Sequence, residues 1–177
     1  MLIILILMRG NEFVKIENLK FILITVFSIS VLLSCKPMDS PPSLEEEKQL
    51  VEKAIRNSIG WAKEKDLKTL YSVIANDTNY IEVDPTDRIV KGFQDFKKAE
   101  DFWMSKDFKA IRYDIRDLKI NFSQTGTIAW FLCILDDINE WKGQPANWEN
   151  TRWTGVLEKR GNTWIIVQMH FSFAADS

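Results

Sequence analysis

The stretch Thr151–Phe173, TRWTGVLEKRGNTWIIVQMHFSF, decides the fold of this protein. It contains two runs rich in β-branched and aromatic residues, separated by Arg160-Gly161-Asn162, and this pattern predicts an antiparallel hairpin. A three-residue loop centred on Gly161 would use the positive φ that glycine adopts without strain. In that register the predicted cross-strand pairs are Val156 with Ile166, Thr154 with Gln168, and Arg152 with His170.

The two faces of the predicted hairpin differ, because side chains alternate along a strand. The mixed face carries Arg152, Thr154, Val156, Trp164, Ile166, Gln168, His170 and Ser172. The strongly apolar face carries Trp153, Leu157, Ile165, Val167, Met169, Phe171 and Phe173. A two-residue turn would slip the register by one and place Arg152 opposite Phe171. The segregation of polar from apolar residues argues against that register.

The closing hairpin resembles that of SnoaL-like proteins of the nuclear transport factor 2-like superfamily. The resemblance rests on Arg152, Thr154, Val156, Gly161 and the run WIIVQMHFS from Trp164 to Ser172, since the final strand of that group commonly reads W-x-I-V-x-x-H-x-S. It covers about Leu44 to Phe173, the size of one domain. The superfamily includes isomerases, cyclases, dehydratases and assembly domains, so the resemblance implies a fold and not a reaction.

The order of elements upstream predicts the same fold. Apolar residues at helical spacing predict three helices, over Leu44–Ala62, Asp66–Ile74 and Phe93–Trp103, the first opened by a capping box at Ser43. A small hairpin turns at Asp84-Pro85-Thr86-Asp87, and four antiparallel strands follow, the first with a bulge near Arg116-Asp117. We therefore predict an α+β domain over residues 44–177. In it, three N-terminal helices pack in the concave face of a strongly bent antiparallel sheet, the cystatin-like cone.

The N-terminal segment, residues 1–34, has the pattern of a secretory signal. Lys15 and Lys20 precede an apolar run that ends in Leu32-Leu33-Ser34-Cys35. This LLSC tetrad resembles the lipobox of bacterial lipoproteins, which implies that Cys35 becomes the acylated first residue of the mature protein. A plain signal peptide with an ordinary cysteine is the alternative. Met8 is a second candidate start, and it would leave a signal of ordinary length.

Residues 35–43 are predicted to be the acylated cysteine and a flexible, proline-rich tether. Lys36 replaces the aspartate that is associated with inner-membrane retention in the enteric pathway, so we predict a lipid-anchored protein of the bacterial cell envelope, on the outer membrane. Acyl chains on Cys35 would then hold the domain to the bilayer. The domain would face either the periplasm or the outside.

Composition excludes several classes of function. The formal net charge of −2 and the lack of a basic stripe argue against nucleic-acid binding. The single histidine and the lack of CxxC or HxH spacing give no metal site, and we predict no cofactor. Cys133 lies in an apolar run and is predicted to be a small buried residue.

The interior of the cone is the predicted pocket. His170 is the first catalytic candidate because imidazole titrates near neutral pH, and Asp84 is the second because a carboxylate in an apolar cavity can exchange protons. Each has a structural alternative: His170 can be a hydrogen-bonded sheet residue, and Asp84 can be a turn residue. Predicted ligand contacts are Arg152, Thr154, Gln168, Trp130, Trp103 and Tyr80.

Tryptophan is abundant, and Trp61, Trp103, Trp130 and Trp164 are predicted core residues. Trp141 and Trp148 instead flank the loop Lys142–Asn147. Two interpretations of this loop are equally open: it closes over a flat apolar ligand or glycan, or it is a solvated hairpin tip.

Two functions are consistent with these features. The first is a lipid-anchored small-molecule-binding or scaffold domain that holds a small apolar ligand in the cone. The second is a cofactor-independent isomerase or hydratase-like enzyme in which His170, with Arg152 or Asp84, transfers a proton. We also predict a homodimer through the convex sheet face, formed by Ile165, Val167, Met169 and Phe171, because such an apolar face would be unstable in water.

Overall fold

The computed structural model describes residues 42–175. The predicted signal, the predicted lipidation site Cys35 and most of the predicted tether lie outside these residues. Among residues 42–175, no helix combines the length and the apolar character that crossing a membrane requires.

The helices precede the long strands. They are α1 (Leu44–Gly60), α2 (Leu67–Tyr71), α3 (Phe93–Phe96) and α4 (Glu100–Met104), with 3-10 turns at Trp61–Lys63 and Lys97–Ala99. The capping box predicted for α1 is present, since Glu46 N donates to Ser43 Oγ and Ser43 N donates to Glu46 Oε2. The third predicted helix is wrong as one continuous helix, because the chain between Phe93 and Met104 divides into α3, a 3-10 turn and α4.

The strands form one sheet in the order β2-β1-β7-β6-β4-β3, with β5 beside β4. Their bounds are β1 Ile81–Val83, β2 Ile89–Lys91, β3 Phe108–Phe122, β4 Ile128–Trp141, β5 Gln144–Pro145, β6 Trp148–Arg160 and β7 Thr163–Ser172. The α+β cone with its helices and long closing hairpin is confirmed. The prediction of a purely antiparallel sheet is wrong at one place, because β1 pairs with β7 in parallel.

Bulges bend the long strands. The pairing of β3 with β4 shifts between Arg116 and Lys119, and Asp117 has a φ of 54°, so the predicted bulge is confirmed. An extra residue on one strand increases the local bend and twist. The strand can therefore curve around the helices that it covers.

The hairpin β6–β7 differs from the predicted register. Arg160 pairs with Thr163, so the turn has two residues, with Gly161 at a φ of 62°. A bulge at Val167 then shifts the pairing by one more residue, and beyond it the pairs are Val156 with Gln168, Thr154 with His170, and Arg152 with Ser172. The three predicted pairs are thus wrong by two positions. Five of their six residues still share one face, whereas Ile166, which precedes the bulge, pairs with Leu157 and is buried.

The core lies between the helices and the inner face of the sheet. Trp153, Leu157, Met169 and Phe171 lie in this core, and Met169 and Phe171 are each only 3% exposed. Burial of such side chains stabilises a fold by about 1.5–3 kcal/mol each. Cys133 is also buried, as predicted, and burial raises the pKa of its thiol to about 12.

The predicted dimerisation surface does not exist as one surface, because Met169 and Phe171 point into the core while Ile165 and Val167 are only half-buried. The apolar side chains that the outer face does expose are Ile81, Ile89, Trp130 and Leu132. Dimerisation itself stays a prediction.

Candidate functional site

A cavity of about 270 Å³ lies between the helices and the inner face of the sheet. Most of its walls are aromatic or aliphatic side chains, and the two acids Glu82 and Asp137 and the amide of Asn139 interrupt them. The remaining lining residues are Ser58, Ile59, Trp61, Ala62, Leu70, Phe96, Phe102, Trp103, Phe108, Ala146, Trp148, Met169 and Phe171. A concave, mostly apolar space with a few polar groups is the usual form of a small-molecule site.

Glu82 is the most perturbed acid of the cavity. It lies on β1 opposite Val90 of β2 and Met169 of β7, whose side chains also point inward, and it is 7% exposed. Tyr80 Oη donates a hydrogen bond of 2.5 Å to Glu82 Oε2. Burial raises the pKa of Glu82 to about 7; the Tyr80 hydrogen bond opposes this rise, and the nearby Asp84 carboxyl adds to it. A carboxyl group with such a pKa can gain or lose a proton near neutral pH.

Asp137 and Asn139 come from β4, where a register shift against β6 lies between Leu135 and Asp137. Burial raises the pKa of Asp137, and a hydrogen bond from Asn139 opposes the rise. The neighbouring Asp136 points the other way and accepts from Arg116 at 2.9 Å and from the Asn150 amide at 2.7 Å. Adjacent strand residues face opposite sides, so only Asp137 reaches the cavity.

A second depression, of about 500 Å³, adjoins the cavity and shares Glu82, Phe102, Trp103 and Trp148 with it. Its other lining residues are Asp84, Arg88, Asp95, Lys98 and Ala99. The bases of this mouth are paired, since Arg88 lies 3.4 Å from Asp84 and Lys98 lies 2.9 Å from Asp95.

The predicted polar contacts are not in the cavity. Arg152, Thr154, Gln168 and His170 occupy the outer face of the sheet, opposite to the face of Met169 and Phe171. The Arg152 guanidinium donates to the Phe173 carbonyl oxygen on that side. The prediction that these residues line the interior is wrong because burial of the apolar face, not of the polar one, stabilises the core. His170 is therefore a sheet residue away from the site.

The other predicted residues are divided between the two sides. Trp103 lines the cavity. Tyr80 does not line it, but donates a hydrogen bond to the lining residue Glu82. Trp130 is 45% exposed on the outer face, so its placement in the core and at the ligand is wrong. Asp84 lies at the mouth and keeps its role as a turn residue, since its amide donates to the Arg88 carbonyl.

The loop after β4 contributes to the site. Trp148 and Ala146 line the cavity, whereas the ring of Trp141 packs on Phe102 with centroids 4.7 Å apart. The interpretation of this loop as a wall of the pocket is thus supported for its C-terminal half. The Trp148 ring contacts Phe171 with centroids 5.3 Å apart, which fixes it against the inner sheet.

Sequence reasoning missed Glu82 and Asn139, whereas the alternation of strand faces already allowed at most one of Asp136 and Asp137 to contribute. One signal was available for Glu82, because Tyr80 and Glu82 are two residues apart on a strand and so share a face. A charged residue on the buried side of a strand indicates function or a paired partner. Within residues 42–175, no group of three or more His, Cys, Asp or Glu side chains is arranged to hold a metal ion.

This chain resembles known proteins in sequence and in structure. Residues 51–176 match the SnoaL-like domain family. A candidate dehydratase of the NTF2-like family from Streptomyces avermitilis is similar in structure, with a TM-score of 0.65 and 15% identity over 76% of this chain and 100% of that one. A candidate Ca/calmodulin-dependent kinase II association domain from Exiguobacterium sibiricum has a TM-score of 0.61 and 10% identity, covering 78% and 99%.

An NTF2-like protein from Cytophaga hutchinsonii is also similar, with a TM-score of 0.58 and 10% identity over 72% of this chain and 98% of that one. No curated protein matches the sequence. At these identities the structural likeness shows the fold alone.

Proposed function

Because the chain belongs to the SnoaL-like domain family, whose members bind ligands or act as enzymes, we propose that it binds a small, largely apolar molecule in its cavity. The observation that carries this proposal is the cavity itself, with seven aromatic side chains and the buried Glu82 in its walls. Protein interiors are close-packed, so a space of this size would normally be filled by the protein's own side chains. An open, mostly apolar space of this size is typical of a ligand site.

Binding is tested by filling the cavity. Ala62→Trp introduces a large side chain at a lining residue, whereas Leu132→Trp introduces the same side chain on the outer face. We expect the wild-type protein and Leu132→Trp to bind the uncharged fluorescent probe N-phenyl-1-naphthylamine equally. Ala62→Trp should bind it about tenfold more weakly, a loss of about 1.4 kcal/mol.

Ala146→Trp fills the same cavity from the loop and serves as the second variant if Ala62→Trp does not fold. Circular dichroism checks the fold of each variant. Equal probe affinity in the wild type and in a folded cavity-filled variant would contradict the proposal. Native mass spectrometry of the purified protein, before and after gentle denaturation, then identifies any molecule that it carries.

We propose further that Cys35 is acylated and holds the domain on the cell envelope. The support is the LLSC tetrad after an apolar run, followed by a short tether to α1. In a bacterial host, the full-length protein should incorporate an alkyne-labelled palmitate and sediment with membranes, and Cys35→Ser should do neither. A Cys35→Ser protein that still takes up the label would contradict acylation at this residue.

A second candidate function is cofactor-independent proton transfer by Glu82. The observation that favours it is the pKa of Glu82, about 7, inside an apolar cavity, which suits a general base at neutral pH. Glu82 replaces His170 and Asp84 in this role, because His170 lies outside the cavity and Asp84 only at its mouth. A ligand carried by the wild-type protein should then exchange a carbon-bound proton in deuterated water. Equal exchange with the Glu82→Gln variant would exclude Glu82 as the base.

A further inference from the structure

The charges in the cavity wall are all of one sign. Glu82 and Asp137 are its ionisable residues, and among the described residues no Lys, Arg or His side chain lines it. Neither acid forms a salt bridge with a described residue, because Arg88 pairs with Asp84 and Lys98 with Asp95 at the mouth. The buried Glu82 and the partly buried Asp137, with no base beside them, leave a place for a cation from outside the chain.

The cavity wall also contains an unpaired hydrogen-bond acceptor. Asn139 is 8% exposed, and its Oδ1 has no hydrogen-bond partner among the described residues, while its Nδ2 donates to the Asp137 carbonyl at 3.4 Å. The nearby hydroxyl groups already donate to other acceptors, since Tyr80 donates to Glu82 and Ser58 donates to the Ile55 carbonyl at 2.8 Å. An unpaired buried acceptor costs about 1–3 kcal/mol, so it indicates a donor on the ligand.

Aromatic rings form much of the remaining cavity wall. Trp103 contacts Trp61 with centroids 5.5 Å apart and Phe96 with centroids 4.9 Å apart, and all three line the cavity. Trp148 and Phe171 form a second group of rings. The faces of aromatic rings attract cations, and amine and ammonium sites are often built from such rings.

From these three features we propose that the ligand of this cavity is a protonated amine on a small apolar body. Its ammonium group donates to the Asp137 carboxylate and to Asn139 Oδ1, which lie together on β4, and the Glu82 carboxylate adds a second negative charge to the same cavity. Its apolar part packs on the aromatic walls. An ammonium group has three donors and no acceptor, which matches the acceptors of the cavity. This inference rests on the proposed ligand-binding function and names the chemical class of the ligand.

The competing ligand class is a neutral carbonyl compound bound to protonated carboxyls. Such a ligand brings acceptors, so Asn139 Oδ1 would stay unpaired. A neutral ligand would also gain no electrostatic attraction from the faces of the rings. The structure therefore favours the ligand that supplies donors and positive charge.

The test uses three probes of one shape and different charge: 2-naphthylmethylamine, 2-naphthylmethanol and 2-naphthoate. Each displaces N-phenyl-1-naphthylamine from the full-length protein at about pH 8, where the amine is a cation and the acid an anion. We expect the amine to displace the reporter at a concentration about tenfold below that of the alcohol, and the acid not to displace it. Glu82→Gln and Asp137→Asn should each reduce the preference for the amine.

Asp136→Asn is the matched control, because it removes one carboxylate next to Asp137 but on the outer face, where Asp136 pairs with Arg116. This variant should keep the full preference. If alcohol and amine bind equally, or the preference survives both cavity substitutions, the inference is overturned while ligand binding stands. If neither the reporter nor any probe binds the folded protein, the proposed function is overturned with it.

Discussion

The wild-type protein is expected to lose about 3 kcal/mol of unfolding free energy, relative to Glu82→Gln, as the pH rises from about 4 to about 8. Burial raises the pKa of Glu82 from 4.5 to about 7 in the folded protein. The stabilisation that protonated Glu82 contributes is therefore complete below the pKa that Glu82 has in the unfolded chain. It is lost as the pH rises through about 7, the pKa of Glu82 in the folded protein. The glutamine side chain of the variant cannot ionise, so the variant lacks this loss.

Urea unfolding of both proteins at a series of pH values measures the difference. The neighbouring groups that act on the pKa of Glu82 are Tyr80, Asp84 and Arg88, all unchanged in the variant. Asp137 also has a raised pKa, but its effect is common to both proteins and cancels. Stability curves that stay parallel across this pH range would show that Glu82 is ionised in the folded protein as easily as in the unfolded chain.

Asp136→Asn supplies a control with the opposite sign. The Asn150 amide and the Arg116 guanidinium hold the pKa of Asp136 below its usual value. Its contribution to stability is present above the pKa of the unfolded chain and is lost as the pH falls through the folded pKa. The difference between wild type and this variant should therefore shrink on acidification.

Gly155→Ala is expected to destabilise the protein by about 3 kcal/mol. Gly155 lies at the centre of β6, opposite Phe131 and Met169 on the neighbouring strands. A Cβ atom there would lie 2.5 Å from Phe131 Cε1 and 2.7 Å from the Gln168 carbonyl oxygen. The ring could move, but it packs edge-to-face on Trp153 with centroids 5.0 Å apart, and the carbonyl belongs to a paired strand.

Urea unfolding of Gly155→Ala and of Thr154→Ala, the adjacent residue on the outer face, measures this effect. The control should change stability far less than Gly155→Ala, since Thr154 lies on the other face of the sheet. Adding Phe131→Leu to Gly155→Ala should recover part of the loss if the ring is the main obstacle. A loss of less than about 0.5 kcal/mol in Gly155→Ala would mean that the sheet opens freely at this point.

The register of the closing hairpin shows where sequence reasoning is limited. Both strands and the turn at Gly161 are correctly predicted, but a two-residue turn and a bulge at Val167 replace the three-residue loop. A one-residue slip moves every side chain to the other face. Here the two-residue turn shifts the register by one residue and the bulge at Val167 shifts it by one more. The residues after the bulge therefore return to the faces that were predicted for them. Thr154 and His170 therefore remain together, but as direct partners.

The location of the site was wrongly predicted for a different reason. The prediction placed the polar face with His170 in the cone interior, because a pocket needs functional groups. Met169, Phe171 and Trp153 occupy the interior instead, since their removal from water supplies the larger free energy. The polar groups of the true cavity come from β1 and β4, far from His170 in the sequence.

The amino-acid sequence alone determines the family, the order of helices and strands, the capping of α1, the bulge at Asp117 and the small hairpin after Tyr80. Each of these depends on residues close together in the chain, or on a motif. Only the tertiary structure decides which sheet face is inside and that Glu82, Asp137 and Asn139 line one cavity. This arrangement depends on pairings between distant strands, and the perturbed pKa of Glu82 depends on burial that a linear sequence does not contain.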